Sequence, residues 1–231
     1  MTKSIRYALR QTLPVLFGYL FLGFAFGISL AQAGYTWLWA LGISLTVYAG
    51  SMQFVLVSLL SSGASLLTAA TMTIVINSRH MFYGLSFLSR FRAMGARFPY
   101  MVFSLTDETY SLLCAAKYPA DIDANTADFC TALFDQLYWI AGCVLGALAG
   151  QLLPIDFTGI DFSMTALFVV LFIEQYKAQT HTLPAFLGLF CALGCLVVFG
   201  ASHFIVPALC LCALLLCLFR RPIEAGRGER Q

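Results

Sequence analysis

The sequence predicts an all-α, polytopic helical membrane protein with six full spans and two short broken or re-entrant segments. Eight crossings are the alternative. Three observations carry this expectation. The chain has 231 residues, 60% of them hydrophobic and only 10% charged, against about 25% charged in an ordinary soluble domain. Six apolar segments approach the ~20 residues that a bilayer core requires of a helix. Two further apolar runs are too short to span and end in polar clusters.

Residues 13–33 open the series behind Lys3, Arg6 and Arg10. A basic start, an apolar run and Ala31-Gln32-Ala33 imitate a secretory signal. However, Leu13 to Leu30 is 18 residues long, beyond the usual apolar core of about 7–15. It also holds Gly23-Phe-Ala-Phe-Gly27, a spacing that lets helices approach closely. It therefore reads as an uncleaved first span. The second span is 38–61. A short run, Leu66 to Ile76, follows and ends in Asn77-Ser78-Arg79-His80. Spans 98–116 and 129–152 come next. A second short run, Phe162 to Ile173, ends in Glu174-Gln175-Tyr176-Lys177. Spans 183–200 and 203–219 complete the chain. The order long, long, short occurs twice, a hint of an internal repeat of the kind that marks transporter binding sites. The whole chain reads as one integral membrane transporter domain, with residues 1–12 and 220–231 as cytoplasmic ends.

The bias of Lys and Arg towards the cytoplasm tests the topology. If both short runs return to the side they came from, six crossings remain. Then Lys3, Arg6, Arg10, Arg90, Arg92, Arg97, Lys177, Arg220, Arg221, Arg227 and Arg230 lie inside. Lys117 alone lies outside, with Asp121, Asp123 and Asp128. If both runs cross, Arg90, Arg92 and Arg97 move outside. Both arrangements place the two termini in the cytoplasm.

The polar islands are the functional signal. Asp107 is the tenth residue of the 19 from Phe98 to Ala116, and Glu108 follows it. A carboxylate at that depth costs at least about 2.5–3.5 kcal/mol, so intramembrane acids usually mark a counter-ion, substrate path or proton relay. On a continuous helix these two point about 100° apart. Ser104, Asp107 and Ser111 would share one face, with Thr106 and Tyr110 on another. Asn77-Ser78 is a good helix start. A helix restarting there would offer an anion site, with Arg79 as a fixed charge and His80 as a titratable one. Arg79 and Asp107 are either a buried structural pair or part of a transport path. On the second span, Ser44, Tyr48 and Ser51 form one stripe, and Thr46, Gly50 and Gln53 the next. Gly50-Ser51 marks either an unwound point or a close helix contact. Asp135 reads as an interface residue near the start of its span.

Other chemistries lack support. There is no His-Glu-x-x-His, no Gly-x-Ser-x-Gly and no phosphate-binding glycine loop with a lysine. No enzyme activity, cofactor, metal or nucleic-acid partner is expected. The eight cysteines sit in or at the edge of apolar runs, without a Cys-x-x-Cys pair, and read as small packing residues.

Four motifs add a resemblance. They are Pro14-Val-Leu-Phe-Gly18-Tyr19 with Gly23-Phe-Ala-Phe-Gly27, Tyr48-Ala-Gly-Ser-Met-Gln-Phe54, Asn77-Ser-Arg-His-Met-Phe-Tyr-Gly84 and Leu105-Thr-Asp-Glu-Thr109. In this order and spacing the chain resembles the AzlC-type branched-chain amino acid permeases over roughly residues 10–218. The resemblance implies a bacterial inner-membrane exporter of valine, leucine, isoleucine and methionine. It also implies a small AzlD-type membrane subunit as partner. The overlap of these motifs with the polar islands gives the expected substrate-binding or coupling residues: Gly50, Ser51, Gln53, Asn77, Arg79, His80, Asp107 and Glu108. Proton exchange through Glu108, Asp107 or His80 is the expected coupling. The rival readings are a non-transporting membrane scaffold or regulatory subunit, in which the central acids serve assembly only, and a channel for small solutes.

Overall fold

In the computed structural model the described residues are 2–153, 169, 173, 176, 183–200 and 204–218. Their regular structure is helical, with no strand among them. The chain divides into two compact units, Met1–Thr165 and Ala166–Gln231.

Among the described residues the first unit holds seven α-helices: α1 Thr2–Gln32, α2 Trp37–Thr46, α3 Gly50–Ser61, α4 Leu66–Arg92, α5 Phe98–Phe103, α6 Asp107–Ala115 and α7 Ala124–Leu152. A single 3₁₀ turn, Gly95–Arg97, precedes α5. α1 and α7 are long and apolar enough to cross a membrane. On α1 the side chains of Leu9, Leu13, Phe17, Phe21 and Phe24 are exposed. Their spacing of three or four makes one apolar stripe, which suits a lipid-facing helix. Ala8, Thr12, Tyr19 and Phe26 are buried on the other side.

α1 and α7 run in the same direction, in close contact. Ser4 accepts from the Asp123 amide at their starts, and Gly150 meets Ala31 and Ile28 near their ends. The Gly23-x-x-x-Gly27 pattern crosses Gly142-x-x-x-Gly146. A Cβ on Gly27 would land on the Cys143 carbonyl oxygen and the Ala147 nitrogen, and one on Gly146 on the Phe24 carbonyl. Backbones this close exclude any larger residue, as in small-residue membrane packing.

Two helical hairpins enter this scaffold from opposite ends. α2 starts near the end of α7, where Gln151 Nε2 donates to the Tyr35 carbonyl. It descends until Gln136 Nε2 donates to the Leu45 carbonyl. The chain turns at Val47–Ala49, and α3 climbs back beside α2, with Gln53 Nε2 donating to the Ile43 carbonyl. The second hairpin enters at the basic end. Arg97 lies beside Thr126 and over the Phe129 ring. α5 runs inward to Ser104–Thr106. α6 then returns along α1: Glu108 meets Tyr19, the Leu112 carbonyl meets Gln11, and the Lys117 carbonyl meets Tyr7. Between the hairpins, α4 runs the full depth to the basic end, where Arg90 pairs with Asp128. A long helix followed by a hairpin thus occurs twice, in opposite orientation.

Several expectations are corrected here. Segment 38–61 is two half-helices rather than one span, as is 98–116. The short run 66–76 does not break: α4 continues unbroken through Asn77 and Ser78. An interruption would strand backbone groups at depth, which costs several kcal/mol each. Two poor helix formers cost only about 0.5–0.7 kcal/mol apiece. The loop carrying Lys117, Asp121 and Asp123, with Asp128 beyond it, lies at the same end as Lys3, Arg90 and Arg97, not the opposite one. Lys3 Nζ is 2.9 Å from Asp121 Oδ2, because α5 and α6 return where one span would have crossed. Seven of the eight basic residues within 1–153 sit at this end, Arg79 being the exception. This arrangement differs from the long-long-short pattern, whose second short run lies outside the described residues.

The second unit contains α8 Leu183–Phe199 and α9 Ile205–Leu218. They form an antiparallel pair closed around small residues, with Cys191, Cys195 and Ala208 buried. A Cβ on Gly188 would lie 3.9 Å from Cys212 Sγ. The run 162–173, apart from 169 and 173, and Glu174 lie outside the described residues.

Candidate functional site

The tips of the two hairpins meet near mid-depth. Tyr48 at the first tip lies 6.1 Å, ring to ring, from Phe103 at the second. Tyr48 has φ +38 and is buried. That region is uncommon for a bulky side chain, and such outliers concentrate at functional sites.

The tips differ in how their helices begin. Ala49 precedes α3 and provides no side-chain cap. Its first-turn residues Ser51 and Met52 are buried. At the second tip the Thr106 side chain accepts from the Thr109 amide at 3.3 Å and caps α6. Asp107 and Glu108 occupy the first turn of α6, where a negative charge is favoured by the helix dipole.

α7 and α1 hold both tips. Trp139 Nε1 donates to Gln53 Oε1 at 2.9 Å. Gln136 accepts from Tyr100 Oη at 2.7 Å while donating to the first hairpin. Thr109 Oγ1 donates to Asp135 Oδ2 at 2.8 Å. Tyr19 Oη lies 2.7 Å from both Glu108 Oε2 and Thr106 Oγ1. Gln53, Thr109 and Asp135 have no exposed surface. Asp135 Oδ1 is buried and has no hydrogen-bond partner among the described residues.

Of the expected site residues, Gly50, Ser51, Gln53, Asp107 and Glu108 come together at the two tips. Gly50 fits here by contact: a Cβ would lie 3.2 Å from the Trp139 ring. Asn77, Arg79 and His80 lie at the midpoint of α4, so Asn77 starts no helix and forms no dipole anion site. His80 packs on Tyr83, which stacks on Tyr110 of α6 at 4.5 Å. The Arg79 side chain, and with it the Arg79–Asp107 pair, lies outside the described residues. Ser104, Asp107 and Ser111 do not share a helix face, because the break at 104–106 separates Ser104 from α6.

Asp135, expected at an interface, belongs to the site, and Tyr19, Thr109, Gln136 and Trp139 join it beyond the expected residues. Asp135 looked close to an interface because its span was started at residue 129. α7 instead begins at Ala124, behind the Asp123 cap, and Asp135 lies far deeper. A carboxylate inside an apolar run was the signal available, as it was for Asp107.

The mouth of the second hairpin is anchored by charge. Arg90 Nη2 donates to Asp128 Oδ1 and to Tyr118 Oη, both at 2.7 Å, and Tyr118 also donates to Asp128. Burial, and then the bond to Asp128, push the Tyr118 hydroxyl above its ordinary range. The hydrogen bond from Lys3 holds the exposed Asp121 carboxyl below its own.

A chain with two broken helices meeting beside buried acids has known relatives. The family described as AzlC protein matches residues 14–153. The branched-chain amino acid transport protein AzlC of Bacillus subtilis is 35% identical over 221 residues, covering 96% of this chain and 87% of that one. The chain belongs to the AzlC family. An uncharacterized membrane protein of Helicobacter pylori strain J99 is 40% identical over 96% of this chain and 97% of its own length. The inner membrane protein YgaZ of Escherichia coli is 28% identical over 74% of this chain and 72% of its own. No solved structure matches the chain. The matched region 14–153 contains both hairpins and the helices that hold them, so the site belongs to the part that defines AzlC membership.

Proposed function

We propose that this AzlC-family chain is a secondary transporter that exports branched-chain and similar apolar amino acids across the bacterial cytoplasmic membrane. The observation that carries this reading is the meeting of two hairpin tips of opposite orientation, each beginning a half-helix, one uncharged at Gly50 and one acidic at Asp107 and Glu108. Discontinuous helices of this kind hold substrates in transporters, where a positive helix end receives a carboxylate. An amino acid has one carboxylate, one ammonium and one side chain. The N-terminus of α3 around Gly50 and Ser51 receives the carboxylate. Asp107 on α6 receives the ammonium, and Tyr48 and Phe103 provide an apolar wall. Glu108, held by Tyr19, is assigned to coupling with proton exchange.

The concentration of basic residues at one end of the first unit supports a cytoplasmic position for that end, and so for the N-terminus. The C-terminus is assigned to the same side. The chain acts as one transporter domain with a small AzlD-type membrane subunit. The Bacillus relative's name supports valine, leucine and isoleucine as substrates, with methionine as a further candidate.

The test is radiolabelled valine flux in vesicles containing the chain, with and without the small subunit. Saturable flux with counterflow is expected, and its loss in Asp107→Asn and Glu108→Gln. Equal flux in wild type and both variants would remove the two acids from the mechanism. Flux that neither saturates nor shows counterflow would indicate a channel.

A further inference from the structure

Glu108 and Asp135 lie on different helices and are joined by hydroxyl groups. From Glu108 Oε2 the oxygens run to Tyr19 Oη at 2.7 Å and Thr106 Oγ1 at 2.7 Å. They continue to Thr109 Oγ1 at 3.2 Å and Asp135 Oδ2 at 2.8 Å. Five oxygens make four links, and every link needs a hydrogen. Each hydroxyl carries one, and an ionised carboxylate carries none. Three hydroxyls therefore leave one link empty when both acids are ionised. The empty link would be two oxygens at hydrogen-bonding distance with no hydrogen between them. One additional proton, on either carboxyl, completes all four.

We propose that Glu108, Tyr19, Thr106, Thr109 and Asp135 form a relay that binds one proton, shared between its two carboxyl ends, and passes it across the tip of the second hairpin. With the proton on Glu108, every O–H points towards Asp135. In transfer the Glu108 O–H bond breaks and that proton joins Tyr19. Tyr19 gives its own to Thr106, Thr106 to Thr109, and Thr109 to Asp135. Every O–H then points the other way, and the negative charge has moved from Asp135 to Glu108. No charge is created and no co-reactant is required.

A second observation agrees. Asp135 Oδ1 is buried without a partner among the described residues, a position that penalises a full negative charge more than a neutral carboxyl. Around the relay, Tyr48 from the first tip acts on both acids, and Tyr100 of α5 acts on Asp135. Neither of these two is cationic; the side chain of Arg79 on α4 lies outside the described residues. Asp107 adjoins Glu108, and His80 approaches α6 from α4 through Tyr83 and Tyr110. The relay deepens the transport reading and rests on it only for the link to amino-acid movement. The proton count stands on the geometry alone.

The experiment is difference infrared spectroscopy of the full chain in lipid vesicles at neutral pH, reading the C=O stretch of a protonated carboxyl. A side-chain amide can donate the missing hydrogen itself. Glu108→Gln and Asp135→Asn are therefore each expected to lose one protonated-carboxyl band relative to wild type, although each retains the other acid. Thr109→Ser, which keeps the hydroxyl, is expected to keep the band. Retention of the wild-type band in either amide variant, or its absence from wild type, overturns the relay. The valine flux measurement fails separately: no flux with the infrared pattern intact would sink the transport reading and leave the relay standing.

Discussion

The two hairpins share a shape and differ in chemistry. Each inserts a pair of half-helices to mid-depth and is held there by α7. The first tip is uncharged, receives no cap from the Ala49 side chain and is strained at Tyr48. The second is capped by Thr106 and starts with two acids. The comparison teaches that an inverted repeat can use one backbone device for opposite tasks. On the proposed transport reading, the uncharged helix start receives an anion, whereas the capped start, whose dipole already faces its own carboxylates, handles protons and cations.

The comparison can be broken most strongly at the mouth of the second hairpin. Arg90→Ala leaves Asp128, which has no exposed surface, without its partner. The expected loss is near the lower end of about 3–5 kcal/mol, since Arg90 itself is 31% exposed. Hydrogen exchange should rise in α5 and α6 and stay unchanged in α2 and α3. Equal rises in both hairpins would show that they are not independent elements.

The next effect falls on the first hairpin. Trp139→Phe keeps an aromatic ring, smaller than the indole, and removes the N–H that pairs with Gln53 Oε1. An unsatisfied buried acceptor costs about 1–3 kcal/mol. A lower thermal midpoint with faster exchange in α3, and not in α6, is expected. Thr106→Ala should cost about 1 kcal/mol through loss of the α6 cap, with Thr106→Ser restoring it. A fall in exchange protection confined to the first turn of α6 is the readout. The corresponding Ala49→Ser should gain little stability and weaken valine transport, because it caps the helix start assigned to the substrate.

The smallest effect is expected at Lys3–Asp121, where both side chains are exposed. The folded value of the Asp121 carboxyl lies below its unfolded one. Any stabilisation is thus present above the unfolded value and fades as pH falls through the folded one. Asp121→Asn should leave the thermal midpoint unchanged at neutral pH, as exposed pairs usually do. A clear shift would make this pair part of the hairpin anchor.

The break in the second span was half legible. Tyr48, Gly50 and Ser51, weaker helix formers, follow a strong apolar run, and the helix does restart at Gly50. The break at Ser104–Thr106 also carried its signal: Thr106 followed by Asp107 and Glu108 is a helix start. Segment length concealed it, because the 19 residues from Phe98 to Ala116 match a single span as well as they match two half-helices and a turn. Asn77-Ser78 carried a similar signal and was absorbed into α4, where Ser78 Oγ donates to the Val75 carbonyl.

By itself the sequence determined the helical membrane class, the family motifs and the cost of Asp107 and Glu108 in an apolar segment. These follow from composition and local spacing, which the chain carries wherever it folds. Only the tertiary structure decided that 98–116 turns back, that Lys3 meets Asp121, and that Glu108 is joined to Asp135 through three hydroxyls. Those outcomes depend on which helices pack together. The packing is set by the glycine crossing of α1 and α7 and by the polar groups that α7 presents to both tips, pairings too distant in the chain for any local pattern to specify.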